Sequence, residues 1–231
     1  ICAQSGLPMD KARIVNGKFE PVDTSTSPTN IAYTLEALVA AKDEQAILKI
    51  LKTLLNMDVN DHGLFYARYR AREEKPSVTD KFISTIDNMN LTVALKIVSQ
   101  AYKGSLEIAD IVNVLVKRQD YSVLCVNNRL MGGLTTDGAV VDWSVSGTLG
   151  SEARTGQNVL MAMNENRINR MPIVMAPDIK IKMYVLLSGE RIPVLATQDG
   201  AAFQMLVPNA LLEEESYKNM AVLQKNYLRV I

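Results

Sequence analysis

The sequence has few of the residues on which most hydrolytic and metal sites depend. It contains one histidine and two cysteines in 231 residues. A Ser–His–Asp or Cys–His site would have to use His62. This residue lies in the polar stretch NDHGLF, where we expect an exposed turn histidine. One histidine and two distant cysteines also exclude an ordinary zinc site, so we predict neither metal nor cofactor.

Disulfide, membrane and secretion signals are also lacking. Cys2 lies at the chain end and Cys125 in an apolar run, which predicts no disulfide framework and a location inside the cell (cytoplasmic) or in a virion. No apolar run approaches the roughly 18 residues that span a bilayer. The start, ICAQSGLPMDKAR, lacks the order of a signal peptide. An initial Ile fits processing from a precursor and a truncated chain equally well.

The sequence has no excess charge of either sign, with 25 basic and 25 acidic residues. A general nucleic-acid binder usually carries a basic excess, because phosphate contacts supply most of its affinity. Any basic surface of this chain must therefore be local. With 48% hydrophobic residues, the chain can bury the core of one large domain or two small ones.

Phosphate-binding and paired-carboxylate motifs are absent as well. The stretch GTLGSEARTGQN, residues 147–158, lacks the lysine of a P-loop, and its glycines do not follow the G-x-G-x-x-G spacing, so we predict a surface loop. The acidic runs Glu73-Glu74 and 213–215 read as solvated charge, and no two carboxylates are marked as a pair. We therefore predict no catalytic site and a protein that is not an enzyme.

The N-terminal half has helical patterning. Ser27-Pro28 is typical of a helix start, and apolar residues at helical spacing follow from Ile31. Asp43 can cap a second helix with an apolar stripe from Ile47. A third helix is predicted from Ser77, with a break at 88–90 and an end at Gly104, and a fourth after Ser105.

The texture changes to strands and turns after about Asp120. The run YSVLCV predicts a strand, and Asp137-Gly138 a hairpin turn. Alternating apolar residues over 179–187, followed by Ser188-Gly189, predict a second hairpin. One short helix fits between 157 and 171, and the chain from Asn209 onward predicts a closing helix.

Segregated helices and strands indicate an α+β fold: a helical N-terminal half, then a C-terminal half rich in β-hairpins with a closing C-terminal helix. We divide the chain into an extended, mostly irregular N-terminal arm (1–30), a helical subdomain (31–120) and a β-rich subdomain with the terminal helix (121–231). The two halves together also fit a single domain.

The stretch GLFYARYRAREEK, residues 63–75, carries the densest basic pattern. As a strand, it would place Arg68, Arg70 and Arg72 on one face beside Tyr66, which suits single-stranded nucleic acid. As a helix, the interpretation we favour, it is an amphipathic piece whose arginines pair with nearby glutamates. The nucleic-acid-binding residues that we predict are Tyr66, Arg68, Tyr69, Arg70, Arg72, Arg167, Arg170, Lys180 and Lys182.

With no readable chemistry, we predict a non-catalytic structural protein that self-assembles into homo-oligomers, such as a viral capsid or nucleocapsid component. The alternative is an RNA-binding or other nucleic-acid-binding accessory subunit of a replication or packaging complex that uses Arg68, Arg70 and Arg72. The expected partners are copies of the chain itself and single-stranded nucleic acid, with neither a membrane nor a metal.

Overall fold

A computed structural model describes residues 1–127, 129–145, 181–197 and 218–230. Within these ranges the chain combines helices with antiparallel strand pairs, which confirms the predicted α+β class. The helices are α1 (Pro28–Ala41), α2 (Glu44–Asn56), α3 (Thr85–Ala101), α4 (Leu106–Lys117) and α5 (Lys218–Leu228). The strands are β1 (Lys11–Val15), β2 (Lys18–Asp23), β3 (Ser25–Thr26), β4 (Arg68–Arg70), β5 (Ser77–Asp80), β6 (Ile83–Ser84), β7 (Cys125–Val126), β8 (Arg129–Leu130), β9 (Gly133–Leu134), β10 (Ile181–Val185) and β11 (Arg191–Leu195).

The first four helices pack on one another. α1 packs mainly on α3, and α2 packs on α4, while each consecutive pair, α1 with α2 and α3 with α4, is also in contact. The amphipathic stripe of α2 explains its place, because Ile47, Ile50, Leu51 and Leu54 recur at helical spacing and are all buried. α3 is buried on nearly every side over its first three turns, so it is the central helix of the core.

Two predicted helix starts are confirmed in detail. The Ser27 hydroxyl accepts a hydrogen bond from the Asn30 backbone N–H, with Pro28 in the first turn of α1. The Asp43 carboxylate accepts from the Ala46 N–H at the start of α2. These caps are local, which is why the sequence predicts them.

The predicted start of the third helix at Ser77 is wrong. Residues Ser77–Asp80 form strand β5, which pairs with β4, and α3 begins only at Thr85. Ser84 supplies the cap, since its hydroxyl accepts from the Asp87 N–H at 3.2 Å. The predicted break at 88–90 is also wrong, because the polar side chains there bind tertiary partners and leave the helical backbone intact.

The favoured helical interpretation of 63–75 is wrong over Arg68–Arg70. These residues form β4, the middle strand of a three-stranded antiparallel sheet in the order β3–β4–β5. Burial alternates as the strand alternative requires, with Tyr69 fully buried between exposed arginines. Backbone pairing with two neighbouring strands outweighs the helix propensity of Ala and Arg.

The prediction of an irregular N-terminal arm is wrong for residues Lys11–Asp23. They form the β1–β2 hairpin, whose turn residues Asn16 and Gly17 both have positive φ, as a tight hairpin turn demands. Leu7, before the hairpin, is fully buried in the main core. The chain before the hairpin is therefore anchored in the main core through Leu7.

In the second half, the hairpin turns are confirmed and one strand is corrected. Gly138 and Gly189 have positive φ in the two predicted turns. The run YSVLCV is a strand only at β7, because Asp120 caps a 3₁₀ turn over Tyr121–Leu124 by accepting from the Ser122 N–H at 2.9 Å.

A second apolar cluster lies between β11 and α5. Its buried members are Ile192, Val194, Leu195 and Tyr227. The predicted helix at 157–171 and the start of the closing helix at Asn209 lie outside the described residues. The predicted domain boundaries stay a prediction.

Within the described ranges no helix is both long and apolar enough to cross a bilayer. Cys2 and Cys125 are both free thiols. The intracellular or virion location stays a prediction.

Candidate functional site

The N-terminal ends of α1 and α3 lie side by side and are joined by polar side chains. The Thr29 hydroxyl donates a hydrogen bond to Asp87 Oδ1. Asn90 Nδ2 in turn donates to Thr29 Oγ1 at 3.2 Å. Because Thr29 accepts from one side chain and donates to the other, the three groups hold one another in a single orientation. We call Thr29, Asp87 and Asn90 the helix-end cluster.

Two helix N-termini meet at this cluster. Each carries the positive end of its helix dipole, and side-chain caps at Ser27 and Ser84 bind backbone N–H groups of the first turns. Asp87 lies at the third position of α3, and its side chain is half-buried. Among the described residues, no side chain binds its second oxygen, Oδ2.

Asp10 connects the cluster to the arginine strand. Its Oδ1 accepts a hydrogen bond from Asn30 Nδ2 at 2.9 Å, next to Thr29 in α1. Its Oδ2 lies 3.6 Å from a guanidinium nitrogen of Arg68. Arg68 also donates to the Ser25 hydroxyl at 3.3 Å. The first turn of α1 is thereby tied to β3 and β4.

An open polar cleft of 410 Å³ lies over these strands. The backbone N–H of Ser25 binds the Asp23 carboxylate at 2.8 Å and lowers its pKa, with a smaller contribution from Arg68. The cleft has mixed charge, so it suits a neutral, hydroxyl-rich ligand better than a polyanion. Its lining residues are Asp10, Lys11, Asp23, Thr24, Ser25, Arg68, Arg70 and Thr79.

Of the residues predicted to bind nucleic acid, the structure brings Arg68 and Arg70 together at this cleft. Arg70 also pairs with Glu73 at 3.6 Å, and Arg72 is exposed just beyond the strand. Lys182 is exposed on β10, the strand that pairs with β11. Arg167, Arg170 and Lys180 lie outside the described residues. Nucleic-acid contacts of these residues stay a prediction.

Tyr69 cannot serve as a surface for base stacking, which corrects its prediction as a contact residue. It is fully buried, and its hydroxyl donates to the Asp58 carbonyl at 2.7 Å while accepting from the Tyr66 N–H at 2.8 Å. Burial raises the pKa of Tyr69 above its ordinary value. Tyr66 is half-buried and packs against the Tyr69 ring.

Sequence reasoning missed Thr29, Asp87, Asn90 and Asp10. One local signal was available: Ser84 and Asp87 have capping-box spacing, ahead of an unusually polar stretch of a buried helix. His62 lies exposed in a turn, as expected from its polar surroundings. In the ranges that the structure covers, no three His, Cys, Asp or Glu side chains converge on a metal position.

Glu36, on α1, is a further unusual carboxyl group. It lies seven residues after Thr29, two turns further along the same side of the helix. Its Oε1 is buried with no hydrogen-bond partner in the described part of the chain, and burial raises the pKa of Glu36 to about 7. The side chain therefore carries its proton well above the ordinary value of 4.5.

This shift predicts a pH dependence of stability. Between about pH 4.5 and 7 the folded chain binds more protons than the unfolded chain, so the free energy of unfolding falls as the pH rises. After allowance for partial solvent exposure, we expect a loss of about 1–2 kcal/mol across this window. Urea unfolding at a series of pH values measures it.

The substitution Glu36→Gln should remove this slope and stabilise the protein above pH 7. The exposed Glu44→Gln is the matched control and should leave the slope unchanged. An equal slope in the wild type and in Glu36→Gln would contradict the raised pKa.

Comparison with known proteins gives matches among solved structures alone. No protein-family model matches the sequence, and no curated protein matches it. A crystal structure of a putative glucoamylase from Bacteroides fragilis NCTC 9343 is similar, with a TM-score of 0.61 and 16% identity over 88% of this chain and 53% of that one. The chain shares its fold with that structure.

Two further structures have TM-scores of 0.49 and 18% identity. One is an endo-beta-1,2-glucanase from Chitinophaga pinensis, matched over 60% of this chain and 38% of that one. The other is a putative glucoamylase from Bacteroides caccae ATCC 43185, over 59% and 37%. This chain thus spans between about a third and a half of the length of the structures it resembles.

The fold likeness corrects the functional predictions. The predictions of a non-catalytic assembly protein, of a viral capsid component and of a nucleic-acid-binding accessory subunit are wrong, because the shared fold is that of a protein described as a putative glucoamylase. Those predictions depended on the absence of a recognisable motif, and a site built by tertiary contacts has none. Association with copies of the chain stays a prediction.

Proposed function

We propose that this chain carries the sugar-cleaving site of a glycoside hydrolase that acts on glucose polymers. The observation that supports this most is the fold shared with the Bacteroides fragilis putative glucoamylase over 88% of the chain. The mixed-charge polar cleft beside the helix-end cluster is consistent with a hydroxyl-rich, neutral ligand.

Most glycoside hydrolases use two carboxyl groups, one to protonate the leaving oxygen and one to act as a base or nucleophile. Asp87 is our candidate for one of them. Thr29 orients it through Oδ1, so that Oδ2 can meet a glycosidic oxygen or a water molecule. The positive ends of two helix dipoles lie beside it.

Asp10 is our candidate for the second carboxyl group. It is tied to the first turn of α1 through Asn30, the residue after the one that holds Asp87. Its Oδ2 lies 3.6 Å from a guanidinium nitrogen of Arg68, which fixes the orientation of the carboxyl group. The arginine that the sequence singled out for nucleic acid then has the role of orienting a carboxylate.

The substitution Asp87→Asn tests this assignment. It keeps the shape of the side chain and an acceptor for Thr29, and removes the proton transfer. We expect the release of reducing ends from soluble starch, maltooligosaccharides or beta-1,2-glucan to fall by roughly 10²-fold or more. Asp110→Asn, on the exposed side of α4, is the control and should retain full activity.

Asp10→Asn should lower the rate as well, while its melting temperature shows whether the loss of the Arg68 contact unfolds the cleft. A wild-type chain that neither binds nor cleaves any of these glucans would overturn the proposed function. Full activity of folded Asp87→Asn would overturn the assignment of Asp87 alone.

A further inference from the structure

Trp143 is the single tryptophan of the chain, and 48% of it is exposed. A Cβ atom added to Gly132 would lie 2.1 Å from Cη2, 2.2 Å from Cζ3 and 2.3 Å from Cζ2 of its indole. A point beyond the rim of the ring would be much closer to one atom than to its neighbours. The near-equal distances therefore place Gly132 against the ring's face.

The indole thus lies with one face on a residue that has no side chain. Any side chain at position 132 would occupy the place of the ring, so glycine is required for this packing. With one face covered, the exposed area belongs to the other parts of the ring. A flat aromatic surface held in this way can receive a ligand without first being ordered.

The backbone of Trp143 is also held in place. Its carbonyl accepts a hydrogen bond from the Gly132 N–H at 2.9 Å. The next residue, Ser144, bridges to Met131, and its hydroxyl donates to the Leu130 carbonyl at 2.8 Å. The backbone that carries the indole is therefore hydrogen-bonded to residues 130–132, which we call the ladder.

That ladder is bound to the first turn of α3. The Thr85 N–H donates to the Gly132 carbonyl at 3.1 Å, and the Thr85 hydroxyl donates to the Met131 carbonyl at 2.7 Å. Thr85 is the first residue of α3 and stands two positions before Asp87. The platform and the helix-end cluster are thus built on the same helical turn.

We propose that the Trp143 indole is the stacking platform for one glucose ring of the substrate, in a subsite beside Asp87. The proposal rests on the proposed function and names a binding element within it. The face of an indole carries negative charge density, and the C–H groups on one face of a sugar ring carry small positive charges. Stacking also buries apolar area on both partners, while the hydroxyl groups at the rim of the sugar ring stay hydrated.

A contrasting aromatic residue is Phe19, which is 78% exposed near the tip of the β1–β2 hairpin. Described contacts of this residue include no glycine platform and no link to α3. It supplies a matched control for the removal of an exposed aromatic ring.

Because Trp143 is the single tryptophan, its emission reports on the platform directly. Titration of the whole chain with maltooligosaccharides, and separately with beta-1,2-linked glucooligosaccharides, should move the emission to shorter wavelength and protect it from acrylamide quenching. Isothermal calorimetry should show that Trp143→Ala weakens binding about tenfold or more, while Trp143→Phe recovers part of the loss. Phe19→Ala should bind within about twofold of the wild type.

The outcomes separate the two proposals. Binding by the wild type without a change in emission, or equal affinity of folded Trp143→Ala, would overturn the platform and leave the hydrolase proposal standing. Absence of both binding and cleavage in the wild type would overturn both. Unchanged melting temperature and far-UV circular dichroism of Trp143→Ala exclude unfolding as the cause of lost affinity.

Discussion

Gly63→Ala should lower the free energy of unfolding by about 3 kcal/mol or more. The backbone at Gly63 has φ of 70°, a conformation that costs a side chain about 1 kcal/mol. A Cβ there would also lie 2.0 Å from the Arg118 carbonyl oxygen, which belongs to the rigid end of α4. Either the turn or the helix end must move.

The melting temperature should fall by roughly 6–12 °C for a chain of this size. Gly17→Ala is the matched control, because its φ is 75° and nothing lies within 4 Å of the added Cβ. Its free energy of unfolding should fall by only about 1 kcal/mol, the cost of the positive φ. Equal losses in the two variants would show that the clash with Arg118 contributes nothing.

Asn88→Leu should destabilise the fold by about 3–4 kcal/mol. Asn88 is fully buried in α3, and its Oδ1 accepts from the Phe65 N–H at 2.7 Å. Its Nδ2 donates to the carbonyls of Phe65 and Ser84, both at 2.9 Å. Leucine supplies none of these bonds, so the buried N–H and carbonyl groups of Phe65 lose the Asn88 side chain as a partner.

Chemical unfolding of Asn88→Leu beside Asn56→Leu measures this effect. Asn56 is exposed at the end of α2, and its Nδ2 donates to the Lys52 carbonyl at 3.1 Å. The control should change stability by about 0.5 kcal/mol at most. A similar small loss for Asn88→Leu would mean that the bonds to Phe65 are replaced elsewhere.

Asn88 also helps to explain why residues Arg68–Arg70 form a strand where we predict a helix over 63–75. The composition of this stretch favours a helix, and its alternation favours a strand equally well. The bonds from Asn88 to Phe65, and the pairing of β4 with β3 and β5, decide in favour of the strand. All of these partners are distant in sequence, so no local pattern contains the answer.

The candidate site also depends on contacts between residues that are distant in sequence. Thr29 and Asp87 are 58 positions apart, and the sequence marks neither as special. Asp87 has capping-box spacing from Ser84, a local signal for the start of α3. Its possible chemistry becomes visible only when α1 and α3 pack with their N-terminal ends together.

By itself, the sequence determined the elements whose energetics are local. The caps Ser27 and Asp43 start helices because their side chains satisfy backbone donors within three residues. Gly138 and Gly189 allow the tight turns of their hairpins because glycine tolerates positive φ. The α+β class follows from the order of such segments.

Tertiary structure alone decided the rest. It brings Arg68 next to Asp10, which is bound to the first turn of α1. It also packs Trp143 on Gly132, which is bound to the first turn of α3. The physical reason is that hydrogen bonds and ring contacts between distant segments depend on how helices and strands pack. A pattern within one segment has no information about the residues that it will meet.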